Sequence, residues 1–451
     1  MDFKKNISSL HLHHNKHTAE CLPIRITPPS EVVLPMNMHS GHDAEPVVSV
    51  GDHVKIGQLI AREEGRFSSP VHATISGTVA EIAPIMYGDG KEVMAIRIES
   101  DGLMEVDPNL KAPAFTTSEE FLQAIRESGV VGLGGAAFPT WAKFNEMCNP
   151  DYTVDTVLIN AAECEPYITS DHRMMVDHPE LIVKGVEYLK TYLNEQLKNA
   201  KFMICIEKNK PDAIEAMKKS FEGDERVEVL ELKTIYPQGA KQVMLYNATG
   251  RVAIAGKRFP YFHAVIINVS SLAKMAEYLS TGMPLVERIV TVDGPAVKEP
   301  KNLIAPIGTR ISYLLEQTGL NSEPGKVVVG GPMNGTAVYS VDSPIVKVAN
   351  AVLVFDEKKS VLPEASPCIH CGRCIEKCPI NIDVINVEAA YNIENEEKRE
   401  KALIATGVRQ CVDCGCCSYV CPAHRPLLAF NQDAKWWLKD YAWKKKEGGN
   451  K

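Results

Sequence analysis

The chain has 451 residues and sets 49 Lys and Arg against 57 Asp and Glu, a formal net charge of −8 at pH 7. With 45% hydrophobic and 24% charged residues it has the composition of an ordinary globular protein, and its length predicts about three domains. The acidic balance argues against nucleic acid as the main partner, since no net positive field draws phosphates. No apolar run reaches the ~18 residues of a membrane-spanning helix. The N-terminal MDFKKNISSLHLHHNK also lacks an apolar signal-peptide core, so the expectation is a soluble, cytoplasmic chain that can still dock on a membrane protein. Nine of the thirteen cysteines fall between Cys368 and Cys421, a density that points to metal or redox chemistry.

In chain order, residues 1 to about 40 read as an irregular, His-rich lead-in broken by Pro23, Pro28, Pro29 and Pro35. From Pro46 to Ile98, strand-length runs alternate with turns at Gly51, Gly57, Gly65 and Gly77, predicting a small all-β unit within residues 1–110. Its rhythm, VSVGDHVKIGQ and then SGTV, resembles the barrel-sandwich of biotinyl and lipoyl carriers. Those carriers hold a lysine at the hairpin tip. Here the tip reads PVHATISG, with His72 and Thr74, so the fold is kept and the carrier function rejected.

A polar linker over 101–117 leads to an α/β domain at 118–275, with Ser118 as the expected cap of its first helix. Strands are predicted at TVLINAA, KFMICIE and HAVIINVS, interleaved with helices, which argues for a largely parallel sheet. A third unit at 286–340 reads strand, strand, helix, strand. A cysteine domain occupies 360–430, and residues 431–451 form a tail.

The cysteine motif Cys368-x2-Cys371-x2-Cys374-x3-Cys378-Pro379 recurs as Cys411-x2-Cys414-x2-Cys417-x3-Cys421-Pro422. This is the spacing of two-cluster ferredoxins, in which the fourth cysteine of each motif reaches the other cluster. The assignment is therefore Cys368, Cys371, Cys374 and Cys421 for one [4Fe–4S] cluster, and Cys411, Cys414, Cys417 and Cys378 for the second. Cys416 is left over as a space-filling residue. Paired CxxC motifs also make zinc sites, but zinc does not call for a third cysteine at x2 and a fourth at x3-Pro, twice.

The second signal is the glycine-rich loop Gly129-Val-Val-Gly132-Leu-Gly134-Gly135-Ala-Ala-Phe138-Pro-Thr-Trp-Ala-Lys143, placed between two helices. Glycines let backbone amides approach a phosphate, and the following helix N-terminus favours negative charge. On its own such a loop is more often tight packing or a simple turn, and no Gly-Lys-Ser/Thr closes it as a Walker loop. Asn160-Ala-Ala-Glu163-Cys164-Glu165-Pro166 follows an apolar strand, where ligands of open α/β sheets bind.

Together, GLGGAAFPTWAKF and INAAECEPY resemble the flavin-binding subunit of respiratory complex I and its relatives. The resemblance implies FMN and NADH as ligands, with loop roles for Gly132, Gly134, Gly135, Phe138 and Lys143. It implies ribityl and nucleotide roles for Asn160, Glu163 and Glu165, and an FMN-phosphate role for Asn268. Leu133 stands where that family carries an arginine, Ala137 a glycine, Ala162 an aspartate and Ile267 an asparagine.

With the N-terminal barrel-sandwich, a third unit resembling the β-grasp SLBB module and the two-cluster segment, the whole chain resembles the C-subunit family of the Rnf complex. The expected fold class is thus multidomain α/β: barrel-sandwich, α/β FMN/NADH-binding domain, SLBB module and a helical two-[4Fe–4S] ferredoxin-like domain. The function implied is a peripheral electron-entry subunit of a membrane-bound, ion-translocating ferredoxin:NAD+ oxidoreductase, on the cytoplasmic side of the membrane. Its implied partners are the integral and peripheral subunits of that complex, NAD(H), and ferredoxin indirectly. Glu165 is the residue expected nearest the nicotinamide or flavin. Rival readings are a soluble flavin and iron–sulfur reductase, serving for example cobalamin, and a non-catalytic electron conduit. Two further features have ordinary explanations. His11, His13, His14, His17 and Cys21 suggest a metal site but lie on no recognisable element, and Trp436, Trp437 and Trp443 beside the tail lysines fit an ordinary helix packed on the cysteine domain better than one facing a membrane or a partner subunit.

Overall fold

Glu31–Pro35 is a continuous apolar run after its first residue, and it pairs antiparallel with Lys91–Ser100, Val32 opposite Ile98 and Leu34 opposite Ile96. This computed structural model describes residues 8–65, 67–87 and 90–448. It divides into two compact units, one of residues 14–232 and 258–360, the other of residues 8–13, 233–257 and 361–448.

In the larger unit, Glu31–Pro35, Lys91–Ser100, Gly77–Tyr87 and His53–Val54 form one sheet, and Glu45–Pro46, Leu59–Arg62 and Val71–His72 a second. Val32, Leu34, Ile60, Ile75, Val79, Ile96 and Ile98 close a core between them. The expected irregular lead-in therefore ends earlier than predicted, because Glu31–Pro35 supplies apolar residues that this core needs. The carrier-type tip is not presented to solvent. Residues 71–76 are buried, and the Thr74 hydroxyl donates to the Ile307 carbonyl at 2.6 Å.

The α/β domain carries a four-stranded, all-parallel sheet in the order Val227–Leu232, Lys201–Glu207, Thr156–Ala161, Ala264–Asn268. Strand Val227–Leu232 is an addition to the three predicted. Its exposed glutamates at 228 and 231 hide the apolar run, as suits an edge strand. Phe121, Phe144 and Phe202 are fully buried among Val157, Ile159, Ile204 and Ile267, each worth roughly 1.5–3 kcal/mol of burial.

A six-stranded mixed sheet follows, ordered Ile24–Arg25, Lys301–Pro306, Glu287–Asp293, Ala351–Asp356, Pro324–Val329, Thr336–Ala337. Helix Ile311–Thr318 packs Ile311 and Leu314 against Val290, Val292 and Val354. Two of its strands come from beyond the 286–340 stretch read from sequence, one before it and one after. The first is brought in by the lead-in, where Asn302 Nδ2 donates to the Thr18 carbonyl at 2.9 Å.

The smaller unit is built around the cysteines. Its helices Val384–Tyr391, Glu396–Ala405 and Leu427–Gly448 bury Val387, Leu403, Ala434 and Leu438. Residues 233–257 belong to this unit although they lie inside the 118–275 stretch in sequence, and the Tyr236 hydroxyl donates to the Cys414 carbonyl at 2.8 Å. Among the described residues no helix is long and apolar enough to cross a membrane.

Candidate functional site

Helix Ser118–Glu127 feeds the glycine loop. Its cap is Thr117 rather than Ser118, because Thr117 and Glu120 form a reciprocal capping box, with both bonds at 3.2 Å. Ser118 instead donates to the Tyr192 carbonyl at 2.6 Å.

Beyond Gly129 the loop sends Val130, Val131 and Leu133 into the barrel-sandwich core. Leu133, which replaces the family's arginine, is 1% exposed and anchors the turn by burial instead of charge. Gly132 N donates to Phe138 O at 2.8 Å and Ala137 N to Gly132 O at 3.1 Å, closing the turn on itself. Gly134, Gly135 and Ala136 are left exposed at its tip. Gly135 has φ +106°, which glycine adopts freely, and Ala137 has φ +51°, which costs a side chain about 1 kcal/mol. Ser40 holds the far side, donating from N to Ala137 O and from Oγ to Ala136 O, both at 2.9 Å.

The loop meets the carboxyl end of the parallel sheet. A Cβ on Gly134 would sit 3.2 Å from Asn268 Nδ2. Asn268 is the register partner of Asn160 on the adjacent strand. Its Oδ1 caps helix Val269–Thr281 by accepting from Ser271 N at 3.0 Å, and its Nδ2 donates to Asp171 at 2.6 Å. The Ser271 hydroxyl accepts from Leu133 N at 2.9 Å and donates to Val131 O at 3.0 Å, locking loop to helix. Phe138 packs its ring 5.4 Å from that of Phe67, and Lys143 lies half-buried on helix Thr140–Met147.

Glu163 sits at φ +48°, and its carboxylate accepts from Asp171 N at 2.6 Å and His172 N at 3.3 Å, covering the N-terminus of helix Ser170–Asp177. Burial, opposed by the Lys16 ammonium, pushes the Glu163 carboxyl up to about 7. Lys16 lies under this turn and donates to the carbonyls of Glu163 at 3.0 Å, Glu165 at 2.8 Å and Ile168. Burial brings its ammonium down to about 8, with Glu163 opposing that shift. The Glu165 carboxylate accepts from Met333 N at 3.1 Å, and a Cβ on Gly331 would come within 2.1 Å of it. The predicted residues thus fall into a connected group, Gly134, Asn268, Asn160 and Glu163, with Glu165 turned toward the six-stranded sheet.

Sequence reasoning missed Lys16, Asp171, Lys210 and Lys347. Lys210 is buried and donates to Ala162 O at 2.7 Å and to Glu207 at 3.1 Å. Only Lys347 left a signal, a lone lysine inside the apolar run PIVKVANAVLV. The flavin is tested by the loop itself. Gly135 has nothing within 4 Å of where a Cβ would lie, and the exposed turn stands beside two asparagines at strand ends. An uncrowded backbone turn next to neutral amides fits a phosphate and a ribityl chain.

In the smaller unit the cysteines sort into two cavities. Cys368, Cys371, Cys374 and Cys421 line one, and Cys378, Cys411, Cys414 and Cys417 the other. The two motifs repeat their backbone geometry. His370 and Asp413 take φ +53° and +54°, Gly372 and Gly415 +74° and +72°, and Asn381 and His424 +54° and +51°. Burial pushes the thiols of Cys411 and Cys417 up to about 12, so their ionisation calls for the positive charge that iron brings. Asn431 Nδ2 lies 3.6 Å from Cys411 Sγ, and Ile382 N donates to Cys378 Sγ at 3.4 Å. Among the described residues no three His, Cys, Asp or Glu side chains gather as a single-ion site, whether here or in the His-rich lead-in. Cys416 is fully buried and shares the second cavity.

Comparison with known proteins agrees with these parts. Family models match at residues 3–103 (RnfC barrel sandwich hybrid domain), 125–277 (Nuo51 FMN-binding domain) and 364–425 (4Fe-4S dicluster domain). The chain is 38% identical over 372 residues to the C subunit of the Na(+)-translocating ferredoxin:NAD(+) oxidoreductase complex of Acetobacterium woodii, spanning 81% of this chain and 82% of that protein. It is 37% identical over 396 residues to the proton-translocating counterpart from Clostridium ljungdahlii, spanning 86% and 85%. For the C subunit of the ion-translocating oxidoreductase complex of Yersinia pestis the identity is 33%, over 87% of this chain and 63% of that one. An NAD+-reducing [NiFe]-hydrogenase aligns at TM-score 0.47 and 20% identity, over 71% of this chain and 63% of that chain.

Proposed function

The chain belongs to the C-subunit family of the ion-translocating ferredoxin:NAD(+) oxidoreductases, and from that premise we propose how its residues divide the work of an electron-transfer subunit. Its cofactors are FMN and two [4Fe–4S] clusters, and NAD(H) is the substrate of the complex. Bound FMN supplies the conversion between a hydride pair and single electrons. The exposed backbone of Gly134 and Gly135 would cradle the phosphate end, with Gly132 closing the turn beneath them and Asn268 presenting its amide beside Gly134. Phe138 and Lys143 flank the loop, and Asn160 and Glu163 would serve the ribityl and nucleotide hydroxyls. Glu165, held by Met333 N, orients the nicotinamide at the flavin. No side chain acts as a nucleophile. The protein binds, orients and shields.

Cys368, Cys371, Cys374 and Cys421 hold one cluster, and Cys378, Cys411, Cys414 and Cys417 the other. The six-stranded sheet with helix Ile311–Thr318 is an SLBB-type β-grasp, which supports Glu165 through Gly331 and Met333. The protein sits peripherally on the cytoplasmic side of the membrane, against integral subunits that carry the ion, and exchanges electrons with ferredoxin only indirectly.

The observation that carries this reading is that the eight motif cysteines sort four to each of two cavities, each set completed by the last cysteine of the opposite motif, with Cys416 as an additional cysteine in the second. Anaerobic reconstitution tests it. About eight irons per chain, a bound flavin and bleaching by NADH are expected. A colourless, zinc-loaded protein overturns it.

A further inference from the structure

The two cysteine motifs are followed by helices that start at the same place. Val384–Tyr391 and Leu427–Gly448 each begin at the sixth residue after the last cysteine of their motif, so Glu388 and Asn431 hold equivalent positions, the fifth in each helix. The cavities keep this correspondence. Ile385 and Glu388 line the cavity of Cys368, Cys371, Cys374 and Cys421, and their counterparts Leu428 and Asn431 line that of Cys378, Cys411, Cys414 and Cys417. One wall position thus carries a carboxylate at the first cavity and an amide at the second.

The backbone serves both sets alike, His370 N donating to Cys368 Sγ and Ile382 N to Cys378 Sγ, both at 3.4 Å. The side chains do not. Glu388 pairs with the Arg425 guanidinium, which lines the same cavity and offsets part of its charge. Asn431 is 1% exposed, and its Nδ2 lies 3.6 Å from Cys411 Sγ and 3.9 Å from Cys417 Sγ, within reach of N–H···S hydrogen bonds. Among the described residues its buried Oδ1 has no hydrogen-bond partner. A buried oxygen left unmet is costly, and a leucine of similar size avoids that cost, so packing does not account for an amide here. Donation to sulfur does. An electron entering an iron–sulfur cluster falls partly on its sulfurs, and an N–H aimed at them favours the reduced form.

We propose that Asn431 raises the reduction potential of the cluster held by Cys378, Cys411, Cys414 and Cys417, and that Glu388 at the equivalent position lowers that of the other, so that the two halves of the repeat hold unlike clusters. The proposal rests on the cysteine assignment given above. Each reduction adds one electron to one cluster, and no bond or proton is exchanged.

The reconstituted full chain is titrated anaerobically with dithionite and redox mediators, and both clusters are followed by electron paramagnetic resonance. At a fixed potential, Asn431→Leu is expected to shift the step that Cys378→Ser abolishes about tenfold toward the oxidised form, a fall of about 59 mV in midpoint, and to leave the other step unmoved. Asn431→Asp keeps the shape but replaces the donor by an anion, and is expected to lower the same step further. Glu388→Gln is expected to raise the other step. Iron is counted first, with about eight per chain expected in wild type and in these three variants. The proposal is overturned if either position is silent while iron is retained, or if both positions move the same step. It is also overturned if Asn431→Leu and Asn431→Asp both lose iron, which makes Asn431 a structural residue. An iron count well below about eight in wild type overturns the cysteine assignment and the proposal with it.

Discussion

Lys347 donates to the Gly129 carbonyl at 2.8 Å, and also to Pro70 O at 2.6 Å and Ser69 Oγ at 3.1 Å. One ammonium, 1% exposed, thereby joins the six-stranded sheet's neighbourhood to the barrel-sandwich and the root of the glycine loop. Burial pushes its pKa down to about 7 from 10.5. Between these values the unfolded chain holds the extra proton, so this group makes stability rise with pH from about 7 to about 10.5. Lys347→Met leaves two carbonyls unmet, at a cost of about 2–4 kcal/mol. Urea melts at the two ends of that window are expected to show the wild-type rise diminished in the variant.

Glu163 titrates in the opposite sense. Its carboxyl rises from 4.5 to about 7, so its contribution is fully present below pH 4.5 and lost as pH climbs through 7. Glu163→Gln keeps an acceptor for the helix N-terminus and is expected to flatten that decline. Glu163→Ala removes the acceptor as well and is expected to lie about 1 kcal/mol below Glu163→Gln at every pH. Thermal melts from pH 4.5 to 8 separate the two outcomes.

Ala137 holds a left-handed conformation, φ +51°, at a position where the resembling family uses glycine. Ala137→Gly is expected to stabilise the protein by about 1 kcal/mol and to leave flavin binding intact or tighter. Gly135→Ala, at φ +106°, is expected to lose as much and to weaken FMN binding. Flavin fluorescence quenching in a titration measures both.

Gly331 makes Glu165 addressable from a distance. A methyl there would lie 2.1 Å from the Glu165 carboxylate and must displace it. Gly331→Ala is therefore expected to mimic Glu165→Gln in the NADH-driven reduction of ferricyanide, while iron content stays unchanged. If Gly331→Ala behaves as wild type, Glu165 has no part in the reaction.

The crossing of the cysteine motifs has its own signature. Cys421→Ser is expected to remove the electron paramagnetic resonance signal that Cys368→Ser removes, and Cys411→Ser the signal that Cys378→Ser removes. Each variant is expected to lose about half the iron. Cys416→Ser is expected to retain both signals.

The grouping of the cysteines around two cavities follows their spacing in the sequence, because each set is local: two short loops and one exchange between them. The glycine loop was half legible. Its turn could be read from Gly132, Gly134 and Gly135, but the support behind it could not, since Leu133, Ser271, Ser40 and Lys347 act across gaps of up to hundreds of residues. Lys16 was hidden for the same reason, its three carbonyl partners lying in a turn that only the folded chain brings near. Strand Val227–Leu232 was missed because an edge strand with one wet face has no continuous apolar run.

The six-stranded sheet places Ala351–Asp356 between Glu287–Asp293 and Pro324–Val329, in its middle. During synthesis the N-terminal strand Ile24–Arg25 and both neighbours of that gap leave the ribosome before the segment that fills it. The layer supporting Glu165 therefore closes only as the first cysteine motif is being translated, so the flavin half has every strand it needs before the first iron ligand emerges.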